Sequence, residues 1–138
     1  MTDATVYTAH AHAVGGRNGT AKADDGHLDV KLAFPKSMGG SGDGTNPESL
    51  FAAGYSACFL GALGLVARNQ GVKLGEHSLD AEVDLIKDDT SFHVGVRLKL
   101  TAPELDRDTA LKLLHAAHEV CPYSKATRGN VQVDLEVA

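Results

Sequence analysis

Apolar and polar positions alternate along several stretches of the chain, and alternation with a period of two is typical of half-buried β-strands. We expect a first strand from Thr5 to Val14, which a turn at 15–19 follows. The remaining alternating stretches are 27–34, 79–87, 92–100 and 131–137. The two stretches on either side of Asp88 are separated by a short polar turn, so they predict a long hairpin.

Two other stretches have the signals of helices. Asn46 is a suitable N-cap, Pro47 suits the first helical position, and Gly71 is a suitable stop, so we predict a helix from Pro47 to about residue 70. A second helix is expected to begin at Asp106 and to end before Pro122. The order of strands, helix, hairpin, helix and strand predicts an α+β fold, with residues 1–138 as a single domain.

The first predicted helix carries no charge from Ser49 to Ala67. Glycines dilute this run and polar residues close it at both ends, so a helix buried on all sides is favoured over a membrane span. Ala53, Ala57 and Gly61 are spaced four apart and form a small-residue ridge along one side of it. Such a ridge allows a second helix to approach closely, and we expect another copy of the same helix there, which makes the protein a homodimer.

Bulk composition narrows the possible partners. The chain has 138 residues, a net charge of −5 and 22% charged residues. No cluster of lysine and arginine offsets the negative charge, so nucleic-acid binding is not expected. The first four residues do not begin a basic and then apolar segment, so we expect no secretory signal and a cytoplasmic location.

The only two cysteines, Cys58 and Cys121, are the candidates for chemistry. If they meet in space, they form a dithiol that can be oxidised and reset, and cytosolic cysteine pairs are more often catalytic or redox-sensing than structural. The alternative is that both are small, inert core residues. A nucleophilic Cys58 needs a lowered pKa. Because Cys58 lies in mid-helix, the helix N-terminus cannot lower its pKa, and a nearby cation would have to do so.

Arg17 is the candidate cation, and Glu48 is the residue that could hold it through a bidentate pair. The alternatives are a solvated arginine in a turn and a glutamate that stabilises the helix start. Glu48 and Cys58 are separated by ten residues, or roughly 15 Å along one helix. Two such helices packed antiparallel would bring Glu48 of one chain near Cys58 of the other, so we expect a site shared across a dimer interface.

Metal and cofactor sites are not expected. His115, His118 and Cys121 recur every three residues and could bind zinc with a further ligand, but a solvated helical face is favoured. The glycine-rich segment at 39–44 lacks the phosphate-loop pattern.

Two segments resemble the signatures of the OsmC/Ohr superfamily. Residues 45–59, which contain the run Phe-Ala-Ala-Gly-Tyr before Cys58, resemble the first signature, and residues 120–131, which contain Cys-Pro-Tyr-Ser, resemble the second. The residues of these two motifs, and Arg17 near the start of the chain, are similar to those of the organic hydroperoxide resistance (Ohr) branch. Lys125 departs from the asparagine expected there and adds a positive charge near the second cysteine.

The resemblance implies an intertwined homodimer with two β-sheets wrapped around central helices, and a thiol peroxidase that reduces organic hydroperoxides to alcohols. Cys58 would be the peroxidatic cysteine and Cys121 the resolving one, with Arg17 and Glu48 as the activating pair. The resemblance also implies re-reduction by a dihydrolipoyl group of a lipoylated protein.

We expect the apolar side chains near Cys58 to favour a hydrophobic organic hydroperoxide over hydrogen peroxide. These side chains are Phe51, Tyr55 and Phe59. Three alternatives remain open: an osmotically induced OsmC-type peroxidase with broader substrate use, a redox sensor or binding module whose disulfide switches a partner, and a structural dimer with inert thiols.

Overall fold

The computed structural model describes residues 3–138, and the first two residues, on which the expectation of no secretory signal partly rests, lie outside them. The chain forms two compact units, one ending at Pro47 and one running from Glu48 to Ala138. The helices and strands are, in chain order, β1 Ala11–Val14, β2 Thr20–Ala23, β3 Asp29–Lys31, α1 Pro47–Asn69, β4 Ser78–Lys87, β5 Phe92–Thr101, α2 Arg107–Val120, α3 Pro122–Thr127 and β6 Val133–Val137.

The first unit is a small antiparallel sheet in the order β1-β2-β3. β1 and β2 form a hairpin, with Val14 opposite Thr20. The connecting residues Gly16–Asn18 form one turn of 3-10 helix, entered through Gly15 and Gly16 at positive φ of 77° and 65°, a conformation that side chains with a Cβ rarely adopt. Gly19 closes the turn, and a Cβ there would lie 1.7 Å from the Val14 carbonyl oxygen.

Two predictions for this unit are corrected, and one strand was missed. The first strand is Ala11–Val14 rather than 5–14, and the strand predicted at 27–34 is confined to Asp29–Lys31. β2 at Thr20–Ala23 was not predicted, because its Thr-Ala-Lys-Ala alternation spans only four residues and alanine is only weakly hydrophobic. β2 has four residues, so it offers only a short edge for its neighbours to pair with, and the longer predicted strands end where that edge ends.

The second unit packs helices on a sheet of order β4-β5-β6. β4 and β5 pair antiparallel along their whole length, from Ser78 opposite Thr101 to Lys87 opposite Phe92, as the predicted hairpin requires. β6 pairs parallel to β5, which the crossover through α2 and α3 makes possible. The core is apolar and includes Leu98 and Leu100 of β5 and Leu113 and Leu114 of α2, all without solvent exposure.

α1 has the predicted bounds, and Gly71 follows its end with a φ of 69°. Burial on all sides, which the predicted second copy of the helix would complete, remains a prediction. One side is in the core, whereas the small-residue ridge of Ala53, Ala57 and Gly61 is exposed. By length and composition α1 could cross a membrane, a property that core helices of other proteins share.

α2 begins as predicted, because the Asp106 side chain accepts a hydrogen bond from the Thr109 amide and caps the helix. Pro122 ends α2 but also begins a short helix, α3, which the sequence analysis missed. The α+β class and the presence of two sheets are thus confirmed. The intertwined homodimer and the single-domain assignment remain predictions.

Candidate active site: a pair of thiols on two helices

The second unit brings the two cysteines together. The Cys121 Sγ lies 3.6 Å from the Cys58 Sγ, and both thiols are free. Cys58 is in the middle of α1, and Cys121 occupies the junction between α2 and α3 with an extended backbone, as the residue before a proline prefers. A disulfide bond has an S–S length of about 2.05 Å, so the sulfurs are about 1.5 Å beyond bonding distance.

The two thiols differ in their access to solvent. Cys121 has no exposed surface, whereas Cys58 is half-buried. The Cys121 side chain belongs to the same core as the leucines of α2. A reagent from solvent therefore meets the Cys58 sulfur first, and Cys121 can react only with a group that is already attached to Cys58.

Burial raises the pKa of the Cys58 thiol above its ordinary value, and the neighbouring Cys121 raises it further. The Tyr123 backbone amide, which donates a hydrogen bond to the sulfur, acts in the opposite direction. A nucleophilic cysteine needs a lowered pKa. The surroundings of the thiol in this chain give the opposite balance.

An aromatic cluster lies beside the thiols. The ring centroids of Phe51 and Tyr55 are 5.6 Å apart, and the Tyr123 ring stacks on Phe51 with centroids 6.1 Å apart and an interplanar angle of 17°. Gly54 provides the space, because a Cβ there would already be 3.4 Å from the Tyr123 ring. Tyr123 is exposed and Phe51 half-buried, so these two rings form an apolar surface next to the more accessible sulfur.

A buried polar network lies next to the thiols, between α1 and the Cys121 segment. The Tyr55 hydroxyl is 2.8 Å from the Ser124 Oγ and 3.2 Å from the Thr127 Oγ1. The Ser124 Oγ is also 2.8 Å from the His118 Nδ1. Burial, followed by the charge of Arg128, lowers the pKa of His118, so the imidazole is neutral near pH 7.

The residues predicted from the sequence fall into distinct places. Cys58 and Cys121 are brought together, and Phe51 borders the exposed surface. Tyr55 and Phe59, expected as substrate contacts, are fully buried in the core. Contact of Tyr55 and Phe59 with a substrate remains a prediction. Their burial supports it less well than the partial exposure of Phe51 supports the same prediction for that residue.

The predicted activating pair is divided between the two units. Glu48 lies in the first turn of α1 and is half-buried. Arg17 lies in the 3-10 turn of the first unit, with its guanidinium carbon 6.0 Å from the centroid of the Phe34 ring. The Arg17–Glu48 pair and the site shared between two chains remain predictions.

Four residues of the site were not predicted: Tyr123, Ser124, Thr127 and His118. Tyr123 and Ser124 directly follow Cys121 and Pro122, and this position was the signal in the sequence that could have placed them in the site. The zinc alternative for the His118 segment has no support, because no group of three histidine, cysteine or acidic side chains within residues 3–138 is placed to hold a metal ion.

Comparison with known proteins agrees with the fold. The OsmC-like protein family matches residues 40–136. The organic hydroperoxide resistance protein of Xanthomonas axonopodis pv. citri is 50% identical over 135 residues, which cover 96% of this chain and 95% of that protein.

Two crystal structures share the whole fold. An organic hydroperoxide resistance protein OsmC from Legionella pneumophila has a TM-score of 0.93 and 46% identity, over 98% of this chain and 99% of that one. OhrB of Bacillus subtilis has a TM-score of 0.89 and 48% identity, over 97% and 100%. The chain belongs to the OsmC-like family. Within that family it is a member of the Ohr branch.

Proposed function

We propose that the protein is a thiol peroxidase that reduces organic hydroperoxides to alcohols in the cytoplasm. The observation that carries the proposal is the 3.6 Å contact between two free thiols, of which one is buried and the other accessible. The names of its relatives, proteins of organic hydroperoxide resistance with about half of their residues identical, support the same class of substrate.

The difference in exposure supports the order of the steps. The Cys58 thiolate attacks the distal peroxide oxygen, the O–O bond breaks, and the alkoxide takes a proton to leave as an alcohol. Cys58 is then a sulfenic acid. The Cys121 sulfur attacks the Cys58 sulfur, the S–O bond breaks, and the hydroxyl leaves with the Cys121 proton as water. The resulting disulfide protects Cys58 from further oxidation.

A dihydrolipoyl group resets the enzyme in our proposal. It donates two electrons and two protons to the disulfide and becomes the cyclic lipoyl disulfide. In sum, one hydroperoxide and one dihydrolipoyl group give an alcohol, water and a lipoyl group. The carrier is a lipoylated protein, and free dihydrolipoamide is the matching small-molecule reductant.

Arg17 and Glu48 are the proposed activating pair. The raised pKa of Cys58 supports the need for a cation, because burial disfavours the thiolate in the arrangement described above. An arginine above the sulfur would stabilise both the thiolate and the departing alkoxide. The exposed small-residue ridge of α1 supports a homodimer in which two chains contribute to each site.

The exposed aromatic surface suits an alkyl, aryl or fatty-acid hydroperoxide. Phe51 and Tyr123 can cover the organic part of such a molecule while its peroxide group reaches Cys58. Hydrogen peroxide has no apolar part and gains nothing from these rings. We expect cumene hydroperoxide to be reduced much faster than hydrogen peroxide.

The test is consumption of cumene hydroperoxide with dihydrolipoamide as the reductant. The purified protein is compared with Cys58→Ser, which should have no activity, and with Cys121→Ser, which should lose activity as Cys58 is oxidised to sulfinic acid. Mass spectrometry distinguishes that product from the disulfide. Replacement of dihydrolipoamide by glutathione tests the choice of reductant.

Failure has a clear form. Reactive thiols and a disulfide that forms without turnover would favour a redox sensor, and equal rates with hydrogen peroxide would favour a broader OsmC-type peroxidase. Thiols that react slowly with iodoacetamide in the folded protein would favour a structural dimer.

A further inference from the structure

Two contacts, one helical turn apart, join α1 to the segment that carries Cys121. Cys58 meets Cys121, and Tyr55, three residues before Cys58, meets Ser124, three residues after Cys121. Residues three apart lie on the same side of a helix. The sulfur contact and the hydroxyl contact are therefore neighbours between two segments that run in opposite directions.

Two of the three buried side chains in the Cys121 segment are polar, and the exposed Tyr123 ring adds its contact with Phe51. Every third residue is buried, at Cys121, Ser124 and Thr127, and the residues between them are exposed. Cys121 is the only apolar residue of the three. α3 has six residues, and a helix of that length is not stable by itself. Its position on α1 therefore depends on the Tyr123 ring contact and on what the two buried polar residues, Ser124 and Thr127, contact.

The Tyr55 hydroxyl is the group that both of them contact. It lies within hydrogen-bond distance of the Ser124 Oγ and the Thr127 Oγ1, while the Thr127 hydroxyl donates to the Ser124 carbonyl oxygen. The hydroxyl has no solvent exposure, so no water can replace either bond. Every buried side-chain polar atom of the described residues has a partner, which makes the network complete.

We propose that the Tyr55 hydroxyl is a positioning group for disulfide formation, holding the Cys121 segment where its sulfur can attack the oxidised Cys58. The inference rests on the proposed function, because it assumes that Cys121 resolves a sulfenic acid. Attack requires alignment of the two sulfurs as well as nearness, and a displacement of α3 on α1 would disturb both. The Tyr55 hydroxyl acts through Ser124 and Thr127, with which it makes its hydrogen bonds.

The decisive variant is Tyr55→Phe, which removes one oxygen and keeps the ring in the core. Diamide, a two-electron oxidant that takes up the two thiol hydrogens, closes the disulfide without any peroxide. Closure is followed by the loss of free thiols and by mass. We expect Tyr55→Phe to slow closure about tenfold, which corresponds to about 1.4 kcal/mol. With excess cumene hydroperoxide, we also expect a larger fraction of Cys58 to reach sulfinic acid.

Ser124→Ala removes the partner of the same contact from α3 and should have the same effect, so the test does not depend on a single variant folding. Tyr7→Phe, at an exposed tyrosine, is the control for the chemical change. Val96→Ala, in the buried face of β5, is the control for loss of stability, because it weakens the core at β5 rather than at the polar contacts of α3. Neither control should change the rate of closure by more than about twofold.

The proposal is overturned if Tyr55→Phe and Ser124→Ala close as fast as the unaltered protein, or if Val96→Ala slows closure equally. The two levels of inference fail separately. Slow closure in Tyr55→Phe with diamide, but no peroxide consumption by the unaltered protein, would leave Tyr55 as a positioning group and refute the peroxidase. Normal peroxide turnover by the unaltered protein, with unchanged disulfide closure in the variants, would support the peroxidase and refute the positioning role of Tyr55.

Discussion

The two sides of α1 differ in side-chain size more than in polarity. The buried side consists of large residues, such as Tyr55, Phe59 and Leu63, which have no solvent exposure. The opposite side consists of Ala53, Ala57 and Gly61, which are exposed and equally free of charge. Large side chains fill the volume between a helix and its own sheet, whereas small ones keep the helix backbone accessible to another backbone. One helix thus carries the core of the chain and a candidate interface.

The largest effect is expected from a bulky residue on the small-residue ridge. Apart from the adjacent residues and the helix backbone, no atom of residues 3–138 lies within 4 Å of the Cβ that Gly61 would have, so Gly61→Leu fits the single chain. Leucine favours a helix by roughly 0.5–1 kcal/mol over glycine. We expect this variant to stay folded but to become a monomer, and to lose peroxidase activity. Sedimentation velocity and circular dichroism measure the two properties.

Gly61→Ala is the matched control, because it gives a similar gain in helix propensity with only one added carbon. It should remain a dimer. A dimeric Gly61→Leu with full activity, or a monomeric unaltered protein at micromolar concentration, would show that the ridge is not the interface.

A smaller effect is expected from truncating one side chain to alanine on each side of α1 and comparing the losses of stability. Phe59→Ala removes a fully buried ring and should lower the free energy of unfolding by about 3–5 kcal/mol. Leu65, which is 42% exposed and follows Gly61 by one turn, tests the ridge side. In a monomer Leu65→Ala should change that free energy by no more than about 0.5 kcal/mol.

If a second chain covers the ridge, Leu65→Ala should cost more, and the loss should depend on protein concentration because association contributes to stability. Urea unfolding at two protein concentrations measures this. A concentration-independent loss close to zero for Leu65→Ala would contradict the dimer, and a small loss for Phe59→Ala would contradict the core.

The smallest effect concerns the polar end of the buried side. Burial and then the Arg128 charge hold the pKa of His118 below 6.5, with His115 acting in the same direction and Glu119 against it. The unfolded chain therefore binds a proton at His118 more readily than the folded chain. Its contribution to stability is complete above about pH 6.5 and is lost as the pH falls below it.

His118→Gln should reduce the loss of stability between pH 7 and pH 5, and His115→Gln, at an exposed position on the same helix, should change it less. Urea unfolding across this range is the measurement. Identical pH profiles for His118→Gln and the unaltered protein would mean that the histidine titrates alike in both states.

Local signals were sufficient for the long elements and insufficient for the short ones. Asn46, Pro47 and Gly71 marked the ends of α1, and regular alternation marked the β4–β5 hairpin, so both were predicted nearly to the residue. β2 and α3 have four and six residues, too few for a period to emerge. These short elements are determined by what they pack against rather than by their own sequence.

The reactive part of the site was predictable, because cysteine is a residue type with its own redox chemistry. Two cysteines in one chain could be expected to meet, and they do. The network of Tyr55, Ser124 and His118 could not be predicted, because Tyr55 and Ser124 are 69 residues apart and a hydrogen bond at that separation leaves no pattern in the sequence. The sequence also contains nothing about which cysteine is buried, and this asymmetry orders the proposed steps.

The burial of Cys121 also bears on how the proposed reaction would behave as the two substrates are varied. With one sulfur inside the core, the hydroperoxide and the dithiol both have to reach the same exposed atom, the Cys58 sulfur. They cannot occupy it together, so each turnover consists of two half-reactions in sequence. Such an enzyme follows ping-pong kinetics. Raising one substrate then increases the apparent KM for the other, and the ratio of hydroperoxide to reductant in the cell determines whether the protein rests as dithiol or disulfide.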